Sequence, residues 1–429
     1  MRTAPFLKFS SVKKAHAVYT GDIMEKTKKL YDNEPYSTTF EASVIGLQLP
    51  KEGRLASVVL DATLFFPEEG GQTPDTGVLA GFPVVDVQID SAGVITHLVD
   101  VSSAQTEGSG AAPCGILAPG AAVHGQINWE HRFSNMQNHS GEHILSGLLH
   151  RLFGYENVGF RLSDHTVTLD TAGPLSEKDL ILLEQRANAV VWSNVPIHCE
   201  YPAAEVLAAL DYRSKKAIDG PVRIVTIEGV DACACCAPHV SQTGEIGLIK
   251  ILSAEKNRNA TRLTFLCGSR ALLEMQRRQE ELTRASRLMN EPVETVSSGV
   301  RKRLDEIYTL KGALYQKELQ YIQAKLSALS AEEDSSGDLY LFETDLSPKA
   351  QRELMNGLCE QGRRYAGVFV GSEENGWKYL IGSRGSDARI PGALLREKLW
   401  ARGGGKADMV QGSLTASKAE IRQVLGECG

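Results

Sequence analysis

Two short stretches of the sequence carry paired side chains of the kind that bind metal ions. His139 and His143 are separated by three residues, and so are Cys235 and His239. This spacing places both side chains of a pair on one face of a helix or a tight turn. Imidazole nitrogen and thiolate sulfur are typical zinc ligands in proteins. The two pairs together predict a zinc site formed by His139, His143, Cys235 and His239.

The ligand count leaves the role of this zinc open. A zinc ion with four protein ligands is normally structural, whereas a catalytic zinc keeps a position for water. Three ligands plus water, and four ligands that rearrange when substrate arrives, both fit the sequence. Cys233 and Cys236 lie in the same stretch as the second pair. Their thiols could contact the ligands without binding the metal, or they could serve as alternative ligands.

Glu142 suggests a different reading of the first stretch. His139, Glu142 and His143 match the H-x-x-E-H pattern of inverted zinc metallopeptidases, in which the glutamate is the general base. That enzyme class would need a carboxylate ligand well downstream, and it would leave Cys235 and His239 without a role. It therefore ranks below a site that uses both pairs.

The first pair should lie on a helix. Asn138 is a candidate N-cap, and Gly154 is a candidate terminator. Between them, apolar residues recur at helical intervals: Ile144, Leu145, Leu148, Leu149 and Leu152. His150 lies farther along the same side, and we expect it to be a packed or surface histidine rather than a ligand.

Hydrophobic patterning predicts an α+β protein of several domains. The 429 residues suffice for about two to four domains. Short apolar runs between Gly, Pro and Asp turns predict a small β-barrel domain over residues 1–128. We then expect an α+β zinc-binding domain over 129–267, a helical hairpin over 268–333 and a C-terminal α/β domain over 334–429. Residues 243–251 and 260–267 are predicted strands, 104–119 a loop and 331–337 a linker.

Two glycine-rich segments could approach a ligand closely. Gly70, Gly71 and Gln72 lie in the segment 66–77, which by itself is more typical of a plain hairpin connection. Near the C-terminus, Gly403, Gly404 and Gly405 precede Lys406. We expect a loop there whose backbone N–H groups could donate hydrogen bonds to a phosphate. The Walker spacing is absent there.

Composition and charge narrow the class of protein. The net charge of −7 argues against a wholly basic nucleic-acid coat, but it allows a local basic face. Residues 1–20 lack a secretory apolar core, and no run of about 18 apolar residues predicts a membrane span. We therefore expect a cytoplasmic protein whose eight cysteines are thiols or metal ligands.

These motifs, in this order, resemble a known family. The two ligand pairs, the upstream Gly70-Gly71-Gln72 segment and the Thr243-Gly244-Glu245-Ile246-Gly247 segment are similar to the editing domain of alanyl-tRNA synthetase. They are equally similar to its free-standing relatives, the AlaX-type alanyl-tRNA editing proteins in their long form. The tail around Gly403 resembles the synthetase's C-terminal DHH-associated domain, so the resemblance covers essentially the whole chain.

The resemblance implies a zinc-dependent deacylase that acts in trans on mischarged tRNA-Ala, releasing serine, glycine or both. Because the barrel begins within the first few tens of residues, we expect no aminoacylation activity. The Zn²⁺ would either anchor the amino group of the substrate or activate a water beside the ester carbonyl. The alternative from another class is a tRNA-binding factor whose zinc is purely structural.

The resemblance also assigns roles to individual residues. His139, His143 and Gln72 would be catalytic. Substrate-pocket residues would be Gly70, Gly71, Phe160, Arg161 and Thr243. Contacts to tRNA would come from Arg301, Arg303, Gly403, Gly404, Gly405 and Lys406, and the C-terminal domain would support a homodimer.

The chain departs from the family pattern at two places. Cys236, Ala237 and Pro238 stand where the family often has Gly-Gly-Thr. Residues 158–162 lack the Gln or Thr that commonly reads the serine hydroxyl. A preference for serine over glycine is therefore less firmly implied than deacylation.

Overall fold

A computed structural model describes residues 26–50, 54–102, 113–214, 220–257, 260–330 and 337–427. The chain forms two compact units, one up to Glu281 and one from Leu282 onward. Residues 1–20, most of the predicted loop 104–119 and nearly all of the predicted linker 331–337 lie outside the described ranges. Within those ranges, no helix is long and apolar enough to cross a membrane.

The first unit begins with strands and a short helix. They are β1 (Lys28–Lys29), β2 (Thr39–Gln48), β3 (Leu55–Leu60), β4 (Ala62–Thr63), β5 (Gly77–Leu79), β6 (Phe82–Ile89), β7 (Ile95–Asp100), α1 (Pro113–Ile116) and β8 (Ala122–Ile127). Six of the strands close a barrel in the order β2-β3-β7-β6-β5-β8, while β1 pairs with β4. Alternating residues such as Val44, Val58 and Val99 are buried in its interior. The small N-terminal barrel expected from the apolar runs is present.

The remaining elements of the first unit form an α+β arrangement. In chain order they are α2 (Trp129–Phe153), β9 (Asn157–Leu162), β10 (Val167–Thr171), α3 (Glu177–Ser193), β11 (Ile197–Glu200), α4 (Ala204–Ala209), β12 (Ile224–Ile227), β13 (Asp231–Ala234), β14 (Ile249–Asn257) and β15 (Ala260–Cys267). One sheet has the order β14-β15-β10-β9 and another the order β11-β12-β13. Residues 243–246 form a 3-10 turn, so the strand predicted over 243–251 begins only at Ile249.

Helix α2 starts earlier than its apolar pattern predicts. Its N-cap is Asn128, whose side chain accepts a hydrogen bond from His131 N, and Gly154 ends the helix at a φ of 69°. Asn138 is therefore not the N-cap but lies inside the helix. Its side chain bonds Ser134 O and accepts from Cys267 N at 2.8 Å. The prediction was wrong because residues 129–138, most of them polar, are already helical. They lack the apolar repeat that marks the leucine run.

Two long helices follow, α5 (Gly268–Met289) and α6 (Val296–Ser330). Asn290, with a φ of 52°, and a 3-10 turn over Val293–Thr295 separate them. The first of these helices crosses the boundary between the two units at residues 281 and 282.

The second unit ends in a mixed sheet. Its elements are β16 (Leu339–Glu343), α7 (Pro348–Glu360), β17 (Ala366–Ser372), β18 (Gly376–Gly382), α8 (Arg389–Leu399), β19 (Arg402–Gly405), β20 (Met409–Leu414) and α9 (Lys418–Gly426). The strand order is β16-β17-β18-β20-β19. β16 and β17 run parallel, and the other neighbouring pairs run antiparallel.

The triple glycine is not a loop, as expected from its composition, but the edge strand β19. A Cβ added at Gly403 or Gly405 would lie 2.2 Å from a backbone oxygen of β20. Glycine is therefore required for this close strand pairing. The residue type that suggested a loop serves here to bring two backbones together.

A buried ion pair connects α2 to the barrel. The side chains of Arg132 and Asp75 are both 0% exposed, and Arg132 Nε lies 3.0 Å from Asp75 Oδ2. The guanidinium also donates to Leu64 O and to Pro35 O, and Phe66 N donates to the Asp75 carboxylate. Both oxygens of the Asp75 carboxylate and all three nitrogens of the Arg132 guanidinium thus have hydrogen-bond partners within the first unit.

We predict that Arg132→Ala lowers the free energy of unfolding of the first unit by about 3–5 kcal/mol, because it leaves a buried carboxylate without its cation. Urea or thermal unfolding measures this. The matched control is Arg54→Ala, which breaks the Arg54–Asp100 pair at the barrel surface, where Arg54 is 60% exposed. That substitution should cost about 1 kcal/mol or less, and equal losses for both variants would contradict the prediction.

Candidate metal centre

Four ligand side chains converge inside the first unit. His139 and His143 come from α2, with ring centroids 5.7 Å apart, and the ring of His239 lies 5.0 Å and 4.9 Å from them. Cys235 Sγ lies 3.6 Å from His139 Nε2 and 3.3 Å from His239 Nε2. One ligand atom from each of the four residues lies within 4.8 Å of all the others. The two distant sequence pairs thus meet at one point.

Each of the three imidazoles is oriented by a partner on its Nδ1 atom. His139 Nδ1 lies 2.8 Å from Gln72 Oε1, His143 Nδ1 lies 3.0 Å from Asp231 Oδ2, and His239 Nδ1 lies 3.1 Å from Ser140 Oγ. An acceptor at Nδ1 fixes the tautomer that leaves the Nε2 lone pair free for a metal. The partners therefore direct all three Nε2 atoms to the same point.

One of these nitrogen atoms has no partner within the described structure. His143 Nε2 is buried and makes no hydrogen bond, an arrangement that is costly unless a ligand is bound there. Three nitrogen donors and one sulfur donor suit a divalent metal ion of the zinc type. The residues present therefore fit a metal ion.

The electrostatics of the cluster also favour a cation. Burial raises the pKa of Cys235, but the imidazoles of His139 and His239 outweigh burial and hold this pKa well below its usual range. Burial lowers the pKa of His239 to about 3. Burial also lowers the pKa of His143, yet the hydrogen bond to Asp231 and the nearby thiols bring it above its ordinary value. The low pKa values of Cys235 and His239 favour the thiolate and the neutral imidazole, which are the ligand states that a metal ion requires.

A second group of metal-ligand types, His143, Asp231 and Cys233, also lies within 4.8 Å. Here a cation is already in place, because Arg213 donates to both Asp231 oxygens at 2.8 Å. The Cys233 thiol lies 3.7 Å from Ala234 O. We therefore assign this group to the support of His143 and not to a second metal.

The glycine-rich segment reaches the metal ligands along strand β9. Leu162 N donates to Gly71 O at 2.7 Å, and Thr73 N donates to Leu162 O at 3.2 Å. Gly71 has a φ of +83°, and a Cβ there would lie 2.6 Å from Phe160 O. Only glycine permits this approach. The result places Gln72 at His139 Nδ1.

The structure brings part of the predicted pocket to the ligands. Gln72 contacts His139, and the ring of Phe160 lies 4.8 Å from the His139 ring. Gly71 packs against Phe160, and a Cβ at Gly70 would lie 3.4 Å from Cys236 Sγ. Arg161 is exposed on β9 and follows Phe160 directly, so strand alternation points it to the other face. Thr243 is buried, with its hydroxyl donating to Val190 O at 2.8 Å and accepting from Val195 N.

Glu142 faces away from the ligand cluster. Its carboxylate accepts hydrogen bonds from Ser146 Oγ at 2.5 Å and from Asn157 Nδ2. Both partners belong to the packing of α2 against β9. A peptidase would need this carboxylate to face the metal as a general base, but here Ser146 and Asn157 already bind it. His150 is exposed and bonds Glu156.

Of the residues that orient the three imidazoles, Gln72 was predicted from the sequence as a site residue, whereas Ser140 and Asp231 were not. Ser140 and Asp231 lie within or beside the two ligand stretches, so their polarity at buried positions was the available signal. Arg213 and Arg132 gave none, because their roles depend on contacts with residues 18 and 57 positions away.

The residues predicted to contact tRNA lie in the second unit. Arg301 and Arg303 are exposed on α6, and Gly403, Gly404, Gly405 and Lys406 are exposed at β19 and the turn after it. Several basic residues of this unit are already paired: Arg303 with Glu306, Arg389 with Asp387, and Lys398 with Glu427. Arg396, Arg402 and Lys406 form no ion pair within the described ranges.

Comparisons with known proteins agree with this geometry. Residues 222–264, which contain two of the four ligands, match the family model described as the threonyl and alanyl tRNA synthetase second additional domain. This part of the chain is thus similar to a domain found in threonyl and alanyl tRNA synthetases.

Relatives match almost the whole chain. It is 30% identical over 381 residues to alanyl-tRNA editing protein Aarsd1-B of Xenopus laevis, which covers 86% of this chain and 87% of that protein. It is 29% identical to alanyl-tRNA editing protein Aarsd1 of Danio rerio, over 91% of this chain and 95% of that protein. An alanine–tRNA ligase of Methanococcus vannielii is 26% identical over 93% of this chain, but the match spans 43% of the ligase. The chain belongs to the alanyl-tRNA editing protein family.

We predict that the purified protein binds one zinc ion per chain and that Cys235→Ala or His239→Ala removes it. Each substitution deletes one of four donors, and the three that remain hold the ion more weakly. Metal analysis by plasma emission spectrometry, together with the shift in melting temperature on adding a chelator, checks this. The control is His150→Ala, which should retain the metal. Full zinc content in Cys235→Ala would contradict the proposed ligand set.

Proposed function

We propose that this protein hydrolyses the ester bond of mischarged tRNA-Ala in trans, releasing serine or glycine, at a Zn²⁺ site made of His139, His143, Cys235 and His239. One observation carries the proposal. The four donor atoms meet directly beside Gln72, whose amide nitrogen is buried and has no hydrogen-bond partner within the described structure. Family membership supports the class of substrate.

The chemical type of the donors supports zinc. A bound Zn²⁺ would supply Lewis acidity, either polarising the ester carbonyl and a water or anchoring the substrate amino group. The protein's own contribution is to hold three imidazoles in a single tautomer and orientation. Asp231, Ser140 and Gln72 do this through the three Nδ1 atoms.

Gln72 has a second part to play. Its Oε1 accepts from His139 Nδ1, so its Nε2 is left to donate elsewhere. Because that N–H group is buried beside the ligands, it can donate to an oxygen of a bound acyl group. A donor aimed at the oxygen on which charge develops stabilises the transition state of ester hydrolysis. Gln72 would thus connect the metal ligand and the substrate.

The pocket wall bears on substrate choice. The ring of Phe160 lies against His139 and presents an apolar surface beside the ligands. Since β9 supplies no Gln or Thr to bond a serine hydroxyl, we propose that both seryl and glycyl esters of tRNA-Ala are hydrolysed. A small apolar pocket separates such close analogues weakly.

The ligand set also supports a second candidate. Four protein ligands are the usual number for a structural zinc, so a tRNA-binding factor without hydrolytic activity fits the same cluster. Ser-tRNA-Ala, Gly-tRNA-Ala and Ala-tRNA-Ala incubated with the purified protein separate the two. Release of serine or glycine supports the deacylase, whereas zinc binding and tRNA binding without release of any amino acid support the factor.

We predict that Gln72→Ala lowers the deacylation rate about 100-fold when measured at saturating zinc, the effect of losing one donor to a developing oxyanion. Single-turnover hydrolysis of Ser-tRNA-Ala measures the rate, and metal analysis of the same sample measures zinc. The matched control is Gln88→Ala, because Gln88 lies on the same barrel and bonds Glu68 and Asp86 at the surface. A wild-type rate in Gln72→Ala would remove Gln72 from the mechanism.

The second unit would bind the tRNA body. Arg402 and Lys406 flank the edge strand β19, and Arg396 lies on the preceding helix α8, all exposed. These unpaired cations would contact phosphates on an otherwise acidic protein. Homodimer formation through this unit stays a prediction of the family resemblance.

We predict that affinity for tRNA falls about tenfold or more when salt rises from about 50 to 200 mM, since each phosphate contact releases counterions. Replacing both Arg402 and Lys406 by glutamine should weaken binding and flatten this dependence. Arg389→Gln is the control, because Asp387 already neutralises Arg389. Filter binding across a salt series gives the slopes, and a flat dependence for the wild-type protein would rule out this surface.

A further inference from the structure

We propose that Arg213 is a positioning residue for the metal centre, acting through Asp231 on His143. The inference rests on the proposed metal site and is independent of which aminoacyl ester is hydrolysed. It assigns to Arg213 the task of holding the Asp231 carboxylate in the one orientation in which its Oδ2 accepts from His143 Nδ1.

The three residues form a continuous chain of hydrogen bonds. Arg213 Nε donates to Asp231 Oδ1 and Arg213 Nη2 donates to Asp231 Oδ2, both at 2.8 Å. Asp231 Oδ2 in turn accepts from His143 Nδ1 at 3.0 Å. Because the guanidinium is a rigid planar fork, two parallel bonds fix both the position and the rotation of the carboxylate. A carboxylate held by one bond could turn its oxygen away from the imidazole.

The backbone of Arg213 is itself fixed beside the strand that carries Asp231. Arg213 N donates to Ala232 O at 2.8 Å, and Ala234 N donates to Arg213 O at 2.9 Å. This pairing places Arg213 alongside Cys233, as one more residue at the edge of β13. The guanidinium of Arg213 is therefore attached to a backbone position that two hydrogen bonds hold in place.

Arg213 is more exposed to solvent than the two residues that it supports. The side chains of His143 and Asp231 are each 2% exposed, whereas that of Arg213 is 16% exposed. Arg213 borders a cavity of about 330 Å³ that is also lined by Gly147, His150, Arg151 and Tyr212. A small solute can thus reach the guanidinium position from outside without passing the metal ligands.

Removing the guanidinium of Arg213 should weaken metal binding. Residues that orient a ligating histidine typically contribute about 10–100-fold to metal affinity. Arg213 stands one bond farther away, so we expect the lower end of this range. Arg213→Ala should raise the dissociation constant for Zn²⁺ about tenfold, and Asp231→Asn should raise it at least as much.

The matched control is another fork in the same unit. Arg262 donates to both oxygens of Asp170 at 2.7 Å, with the same geometry but no contact to a metal ligand. Arg262→Ala should leave the zinc affinity unchanged. Equal losses in Arg262→Ala and Arg213→Ala would show a general effect on the fold and would overturn the proposal.

The test measures zinc affinity of the full-length chain by competition with a chromophoric chelator. Co²⁺ absorption spectra of the same variants report the ligand geometry directly, and Arg213→Ala should shift the d–d bands while Arg262→Ala should not. Millimolar methylguanidinium, entering through the cavity, should restore both affinity and spectrum in Arg213→Ala. Urea, its neutral counterpart in shape, should not.

Wild-type affinity in Arg213→Ala, or restoration by urea as well as by methylguanidinium, overturns the role assigned to Arg213. Should Arg213→Ala not fold, Arg213→Lys decides the question, because it keeps the charge but loses the fork. An affinity in Arg213→Lys equal to that of the wild type likewise overturns the proposal. Since no aminoacyl-tRNA enters these measurements, their outcome is separate from the deacylation assay.

Discussion

The buried pair of Arg132 and Asp75 is the constraint on which the site geometry depends. Asp75 ends the segment that carries Gln72, and Arg132 lies on the helix that carries His139. With both side chains fully buried, the pair cannot exchange with water, so its geometry is unique or the fold is lost. It joins the barrel segment to α2 close to the 2.8 Å contact between Gln72 Oε1 and His139 Nδ1, so the same two parts of the chain meet at both points.

Helix α2 is unusual because it buries polar side chains on most of its surface. Its apolar contribution to the core comes mainly from Met136, Ile144, Leu145 and Leu149. Several of the buried polar groups have partners within the first unit: Asn138 pairs with Ser134 and Cys267, Glu142 with Ser146 and Asn157, and Ser140 with His239. Since an unmatched buried polar group costs about 1–3 kcal/mol, such a helix is stable only with its specific neighbours. The same polar groups that make it hard to fold alone make it able to position metal ligands.

Local patterns in the sequence were enough to find the four side chains that converge, and Gln72 beside them, but not Ser140, Asp231 or Arg213. The His139–His143 and Cys235–His239 pairs are visible because a spacing of four is a property of the chain itself. The start of α2 was misplaced because buried polar residues conceal helical periodicity, which leaves the leucine run as the visible part. The glycines of β19 suggested a loop because glycine is rare in strands, and the need for close backbone pairing appears only once β20 is in place. Arg213 and Arg132 could not be found, because nothing near them in sequence marks their carboxylate partners.

The three imidazoles are held from different parts of the first unit. His143 is supported through Asp231 and Arg213 from strand β13, and His239 is supported by Ser140 from within α2. Both supports belong to regular elements packed behind the cluster. His139 alone among the three imidazoles is supported from an irregular segment, where Gly70 and Gly71 are exposed while Gln72 is buried. The segment that leads into the barrel therefore contributes the partner of one imidazole, while α2 and β13 contribute the partners of the other two, so all three elements are needed to orient the cluster.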